Sequence, residues 1–297
     1  MTTLVALLGV VTGAGGAESL SARYPGDVGI EKDPAVLFAD NFEGGNLKKW
    51  DDVHGSIVVT NSRPHGGKYC VEIEMLRGRN TGGDAKKWFM PGHDKVYVRF
   101  YVKFSADYQY NHHFVWLGAN ERTNKWSAFG KAGLKPDGTY YSTGMEPWFD
   151  WGRNPRPGEV NLYTYYLDME KDPQMDKYWG NGFFPPGPGK GRAGGSDRVI
   201  PPLDEWQCWE FMIQANDAPD RADGRQAMWV DGKLVGEFSG IRWRRDMNLK
   251  VNCLWLEHYG YDPGDPTRQY WKERQTVWFD DVVVAREHVG PMVHAKR

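Results

Sequence analysis

The stretch KVYVRFYVKFSADY, Lys95 to Tyr108, alternates without a break from Val96 through Phe104. Successive side chains of a β-strand point to opposite faces. Val96, Val98, Phe100, Val102 and Phe104 therefore share one face, which belongs in a core, and Tyr97, Arg99, Tyr101 and Lys103 share the other. The second face is aromatic and cationic. It fits a strand lining a solvent-filled groove, with Arg99 and Lys103 as ligand-binding cations, and equally a strand of an ordinary half-exposed sheet.

The same rhythm continues in both directions. AVLFADNFEGGNLKKW opens the globular part, and GSIVVTNSRPHGGKYCVEIEML gives two strands, Ser56 to Thr60 and Tyr69 to Met75, joined by Pro and Gly. Further strands read at TYYSTGMEPWFDW, EVNLYTYYLDM, EWQCWEFMIQAN, RQAMWVDGKLVGEF, LKVNCLWLEHYGY and QTVWFDDVVVAR. The Asp231-Gly232 pair is a two-residue hairpin signal. A Gly/Pro-rich insert, WGNGFFPPGPGKGRAGGSDRVIPP, reads as a long surface loop bordering a cleft. There is no long amphipathic helix and no internal repeat. The expectation is an all-β fold: two antiparallel sheets packed face to face as a jelly-roll β-sandwich with long surface loops.

Composition agrees. The chain of 297 residues has 14 Trp, 15 Tyr and 13 Phe, punctuated by 36 Gly and 18 Pro, which favours short strands joined by turns. With 37 basic and 39 acidic side chains and no long block of like charge, nucleic acid is excluded as a partner. Surplus Trp and Tyr suggest flat apolar faces rimmed by hydrogen-bonding groups, on which a sugar ring stacks, or simply a sandwich core. Residues 1–18 look like the apolar and cleavage regions of a secretory signal peptide without its basic start, which predicts a secreted or periplasmic protein. Nothing is apolar over a length that spans a bilayer, so no membrane partner is expected after processing. Residues 19–34 read as a connector, 35–290 as one domain and 291–297 as a tail. No residue pattern defines an oligomeric state. Cys70, Cys208 and Cys253 have no metal-type spacing; they allow one disulfide, Cys208 with Cys253 if their strands are neighbours, or are three small buried hydrophobes.

Candidate chemistry begins at NHHFVWLGAN, Asn111 to Asn120. If Val115 and Leu117 face the core, His113 shares their parity, while His112 joins Phe114 and Trp116 on the opposite face. Alternation thus predicts an outward His112 beside a Trp suited to stacking a sugar, with Asn120 and Glu121 beyond it; a bulge at the strand end would shift the parity by one. In GEVNLYTYYLDME, Asn161, Tyr163 and Tyr165 share a face, and two tyrosines so spaced bind a polymer, transfer a proton or pack across strands. In STGMEPWFDWG, Glu146 and Trp148 share a face. Glu146 is one candidate acid of a glycosidase pair, with Glu257, Asp150 or Glu121 as the other. His258, Tyr259 and Tyr261 stand at a strand end. Asp40 and Glu43 near the start, with Asp280 and Asp281 near the end, would offer oxygen ligands to a structural calcium if the first and last strands lie together, or are turn carboxylates. Zinc is not supported by any His/Cys spacing.

The order YVRFYVKF, HHFVWLGA, YYSTGMEPW, GEVNLYTYYLDME, DEWQCWEFMIQAN, GRQAMWVDGKLVGEF and VWFDDVVVARE resembles polysaccharide lyase family 14 and its concanavalin A-like jelly-roll relatives, including glucuronan lyases, over Phe38 to Glu287. In that family the strand matching HHFVWLGA reads Lys-Leu-Pro-Gly-Leu followed by Gly-Gly. Aligned on Gly118-Ala119, its catalytic lysine falls on His112. The family's Leu-Tyr-Leu-Tyr phrase places functional tyrosines on Tyr163 and Tyr165. Its Ser-x-Arg-Leu-Met-Trp phrase keeps only Trp148. The resemblance implies a polysaccharide lyase that cleaves a uronic-acid-containing glycan, alginate- or glucuronan-like, by β-elimination. It implies His112, with His113 beside it, as base and Tyr163 or Tyr165 as acid, or one tyrosine in both roles. The substrate would be held by Arg99, Lys103, Trp116, Asn120, Glu146, Trp148, His258 and Tyr259. Such chemistry requires no metal or organic cofactor. The alternatives from other classes are a non-catalytic carbohydrate-binding module built on Trp116 and Trp148, and a glycoside hydrolase using Glu146.

Overall fold

A computed structural model of the chain describes residues 18–109, 111–185, 198–260 and 274–294. Residues 1–17, which carry nearly all of the signal-like segment, residues 186–197 of the Gly/Pro-rich insert, and Tyr261 lie outside the described residues. Among the described residues, fifteen strands, numbered in chain order, form two antiparallel sheets. The eight-stranded sheet holds β1 (Val36–Asp40), β3 (Ile57–Thr60), β4 (Cys70–Leu76), β6 (Lys95–Phe104), β11 (Trp206–Gln214), β12 (Gly224–Val230), β13 (Lys233–Ile241) and β15 (Arg274–Ala285). Its order is β13-β12-β11-β6-β15-β4-β3, with β1 also paired to β15. The seven-stranded sheet holds β2 (Asp52–Gly55), β5 (Gly82–His93), β7 (Val115–Asn120), β8 (Tyr140–Trp148), β9 (Glu159–Tyr165), β10 (Asn181–Phe183) and β14 (Val251–Tyr259), in the order β10-β9-β8-β7-β14-β5-β2. The expected jelly-roll sandwich is the fold that forms.

The core follows from the alternation. Val96, Val98, Phe100, Val102 and Phe104 of β6 are fully buried and join Val115 and Leu117 of β7, Leu162 of β9 and Leu254 and Leu256 of β14 in one cluster between the sheets. Phe100 sits 6.1 Å from Trp209 and 5.9 Å from Phe279, ring centre to ring centre. Each such side chain removed from water contributes about 1.5–3 kcal/mol before entropy is charged against it. The hairpin of β12 and β13 closes through Asp231 and Gly232 with φ of 50° and 77°, the left-handed pair that a two-residue turn requires.

Two regions differ from the sequence reading. DAKKWFM, read as no strand at all, is the middle of β5, because pairing with β14 on one side and β2 on the other outweighs the weak strand preference of Asp, Lys and flanking Gly. Residues 19–34 are docked and not a loose connector. A short helix, α1 (Leu20–Arg23), and two 3-10 turns bury Leu20 and Ile30 against Val283, Ala285 and Val289, on the outside of the eight-stranded sheet.

Candidate functional site

The site is the outer face of the seven-stranded sheet. Register fixes one row across it: Asp52 of β2 opposes Lys86 of β5, Lys86 opposes Trp255 of β14, Trp255 opposes Trp116 of β7, Trp116 opposes Gly144 of β8, and Gly144 opposes Tyr163 of β9. The Trp116 and Trp255 rings lie 6.5 Å apart at 27°, and Trp116 meets the Tyr163 ring at 5.9 Å. Gly144 makes this possible, since a Cβ there would stand 2.8 Å from the Trp116 indole. The next row adds Gly118, Ser142 and Tyr165. Of these, Trp116, Trp255, Gly118, Ser142 and Tyr165 floor a cleft of ≈ 190 Å³, roofed by the segment Ala128 to Ala132 between β7 and β8. The segment is pinned where Asn120 Oδ1 accepts the Ala128 N–H at 3.0 Å and where Trp88 donates to the Lys125 carbonyl at 3.1 Å.

His113, not His112, enters this cleft. Its ring lies 5.2 Å from Trp116 and 5.7 Å from Tyr163, and its Nδ1 is 3.7 Å from Glu146 Oε2. The parity expectation is thereby reversed. β7 begins only at Val115, and His113 instead forms a bridge with Tyr259, whose N–H donates to the His113 carbonyl at 3.1 Å. Phe114 and Val115 are consecutive and both fully buried, so alternation cannot run through them. Phe114 goes to the core, 5.6 Å from Phe104 and 5.2 Å from Phe279. His112 stacks outside the strand, 4.3 Å from the His113 ring and 5.7 Å from Tyr259.

The tyrosines fall as alternation predicts: Leu162 and Thr164 are buried behind β9, and Tyr163 and Tyr165 take the outer face, Tyr165 lining the cleft and Tyr163 beside Trp116 and His113, with their hydroxyls 3.4 Å apart. The Gly180 N–H donates to the Tyr163 hydroxyl at 2.8 Å, which leaves the phenol proton free to be given elsewhere. Glu146 pairs with Asn161 and is almost wholly buried; Glu257, on β14, is buried beside the Trp116 indole. Trp148 ends β8 half-buried, opposite Glu159.

Burial sets the charge state of the whole face. Desolvation lowers His113 to about 4 and, with the neighbouring His113, lowers His112 to about 3. It raises Glu146 and Glu257 well above the usual carboxyl range and keeps Tyr163 and Tyr165 protonated. The groups around His113 are thus an imidazole biased towards its neutral form, phenols, and buried carboxyls biased towards their protonated forms. Several buried polar atoms here have no hydrogen-bond partner: His113 Nδ1, Trp116 Nε1, Tyr140 Oη, Glu146 Oε2, Trp255 Nε1 and Glu257 Oε2. Unsatisfied buried polar atoms are costly, so a polar ligand or a water at this face would relieve them.

Other expected site residues lie elsewhere. Arg99 and Lys103 are on β6, so their face is the outside of the opposite sheet; alternation defines a face but not which sheet the strand joins. Arg99 is fully buried, donates to the Asp281 carbonyl at 2.7 Å and pairs with Asp27; Lys103 donates to the Asp204 carbonyl at 2.6 Å. His258 points into the core, 5.5 Å from the Tyr108 ring, because its neighbours Glu257 and Tyr259 take the outer face. Asn120 holds the roof segment and Asn252. Cys208 and Cys253 are free thiols on opposite sheets and form no disulfide. The carboxylates considered for calcium are engaged by protein donors: Asp40 by Trp50 Nε1 at 3.0 Å, Glu43 by the N–H groups of Lys68 and Tyr69, and Asp281 by His65 at 2.8 Å. Among the described residues no group of three or more His, Cys, Asp or Glu side chains is arranged to hold a metal ion. Lys86, Trp255 and Tyr140 were not singled out in the sequence; the first sits in the unrecognised β5, and only strand order brings the others to the cleft.

No protein-family model and no curated protein matches the sequence. Solved structures do. An alginate lyase from Chlorella virus superposes with a TM-score of 0.58 at 17% identity, over 84% of this chain and 99% of that one. The marine family 14 alginate lyase from Aplysia kurodai gives 0.58 at 10% identity, over 84% and 98%. An endo-β-1,4-glucuronan lyase from the fungus Trichoderma reesei gives 0.50 at 15% identity, over 84% and 95%. Among the described residues no helix is long and apolar enough to cross a membrane. At these identities the likeness establishes the architecture: the chain has the jelly-roll fold found in alginate and glucuronan lyases.

Proposed function

We propose that the protein is a polysaccharide lyase, secreted or periplasmic, that cleaves a uronate-containing glycan of the alginate or glucuronan kind by β-elimination across the outer face of the seven-stranded sheet. The observation that carries this reading is the convergence of His113, Tyr163 and Tyr165 around Trp116, on a fold shared with lyases of such polymers.

The chemistry follows from the protonation states. His113 is neutral and takes the C5 proton. The C5–H electron pair becomes the C4–C5 double bond, the C4–O4 bond breaks, and a phenol, Tyr163 or Tyr165, gives its proton to O4. Imidazolium and phenolate then return to their neutral forms by proton exchange with solvent. An imidazole lowered by burial is a weak base in the empty site, and an anionic sugar bound beside it favours the imidazolium and strengthens it. Trp116 and Trp255 supply the flat surface for the sugar rings.

The test is incubation with alginate and glucuronan while following the ultraviolet absorbance of the unsaturated product. Appearance of that chromophore supports the reading, and its absence with every polyuronate tried removes it. One observation favours a second reading. Glu146 and Glu257 are two buried carboxyls on one aromatic sheet face, close enough to influence each other's ionisation, as the acid pair of a glycoside hydrolase would be. That reading requires saturated products and complete loss of activity in Glu146→Gln.

A further inference from the structure

Among the described residues, the lining of the cleft and the neighbours of His113 are poor in free positive charge. Lys86 pairs with Asp84 and lies 3.4 Å from Asp52, and Lys131, which lines the cleft, lies 2.7 Å from Asp137. A β-elimination needs the uronate carboxylate neutralised so that charge developing at C5 is stabilised. Among the described residues, the other donors lining the cleft or touching His113 are uncharged.

Glu146 is the best placed of them. Its side chain is 3% exposed, its Oε2 has no hydrogen-bond partner, and that atom stands 3.7 Å from the ring nitrogen of His113. The titratable groups facing it are His113 from the segment before β7, Glu257 from β14, and Tyr163 and Tyr165 from β9. None of these is a cation at neutral pH. A carboxyl buried among neutral groups keeps its proton, and burial indeed raises Glu146 well above the ordinary range. A protonated carboxyl offers one O–H donor, and an O–H donated to a carboxylate is among the shorter and stronger hydrogen bonds.

We propose that Glu146 holds the uronate carboxylate at the reactive position by donating its carboxyl O–H to it, taking the place that a cation fills in other anion sites. The proposal rests on the lyase reading for the identity of the sugar, but it concerns recognition and not bond cleavage. It also explains the position of His113: the carboxylate held by Glu146 lies where it stabilises the imidazolium formed as the C5 proton is taken. When Glu146 ionises, the donor is lost and two carboxylates face each other, so uronate binding weakens as pH rises.

The experiment is calorimetric binding of a saturated tri-uronate and of a neutral gluco-trisaccharide. Both are titrated over a range of pH into protein carrying Tyr163→Phe and Tyr165→Phe together, which removes both candidate proton donors so that cleavage during the titration is negligible, with Glu146 intact or replaced in Glu146→Gln and Glu146→Ala. The amide of Glu146→Gln donates at every pH, so its tri-uronate affinity should stay within a few-fold of the parent and lose the decline at high pH. Glu146→Ala should lose about 10- to 100-fold, with the neutral sugar unaffected throughout. Melting curves establish that each variant is folded; if Glu146→Ala is not, the flat pH profile of Glu146→Gln still decides. Equal losses in Glu146→Gln and Glu146→Ala, affinity that does not fall with pH when Glu146 is intact, or no uronate binding at all would overturn the proposal. Failure of the lyase reading looks different: the tri-uronate binds with this Glu146 dependence, yet the wild-type protein makes no unsaturated product.

Discussion

The outer face of the eight-stranded sheet carries Tyr97, Arg99, Tyr101 and Lys103 along β6; the outer face of the seven-stranded sheet carries Trp116, Gly118 and Asn120 along β7, with Tyr163 and Tyr165 two strands away. Both faces are aromatic and both bury polar groups. On the first, the chain itself supplies most of the partners: Asp27 for Arg99, whose Nε alone is left without one, the Met292 N–H for the Tyr101 hydroxyl at 2.9 Å, and the His65 ring stacked 3.6 Å from Tyr101. On the second, six buried polar atoms around Trp116 find no partner. A buried polar group that already has its partner gains nothing from a ligand, whereas one without a partner gains a hydrogen bond from a ligand or a water that reaches it.

The comparison breaks most visibly if the open face does not carry the chemistry. His113→Ala and Tyr163→Phe should each lower the rate on a polyuronate by ~10²–10⁴-fold, the usual contribution of a positioned acid or base, with little change in melting temperature. In the unmutated protein kcat/KM should fall as pH drops towards about 4, where His113 in the free enzyme takes up a proton and ceases to be a base. Assays of initial rate against pH read both effects.

The covered face should answer in stability alone. Asp27→Ala leaves the Arg99 guanidinium buried without its counter-charge and should destabilise the fold by about 3–5 kcal/mol in denaturant titration. Activity per folded molecule should not change. A loss of catalysis out of proportion to stability would show that this face is more than a cover.

Two smaller effects sharpen the contrast. Gly144→Ala sets a methyl against the Trp116 indole and should cost about 1–3 kcal/mol through overpacking, with sugar affinity falling as the ring tilts away from Tyr163. On the covered face, His288 is bonded to Glu210 at 3.0 Å, and that hydrogen bond raises its pKa. The stabilisation is therefore complete below the unfolded-state value near ~6.5 and is lost as pH rises through the higher folded value. His288 is partly exposed, so His288→Ala should cost only about a few tenths of a kcal/mol, measurable below that window and absent above it.

The contrast also explains what the sequence could reveal. Alternation is a local property, so the face carrying Tyr97, Arg99, Tyr101 and Lys103, the Tyr163/Tyr165 face and the Asp231-Gly232 hairpin were all readable from residues. Assignment of a face to a sheet is not local. Arg99 and Lys103 looked like groove cations because nothing within β6 says that Asp27 will cover the one and Asp204 the other. His112 and His113 exchanged places because the parity was carried past the start of β7, where pairing with Tyr259 decides the backbone direction. Strand β5, with Lys86, was invisible because its residues form a strand only through β14 and β2.

The most direct test sets one residue from each face against the other on the same substrate. Initial rates of unsaturated-product formation from alginate and glucuronan would be measured for the wild-type protein, His113→Ala and, as the covered-face control, Tyr101→Phe. The account predicts product from at least one polymer, its near-complete loss in His113→Ala, and an unchanged rate per folded molecule in Tyr101→Phe. Product formation that survives in folded His113→Ala, or that disappears in folded Tyr101→Phe, would contradict it.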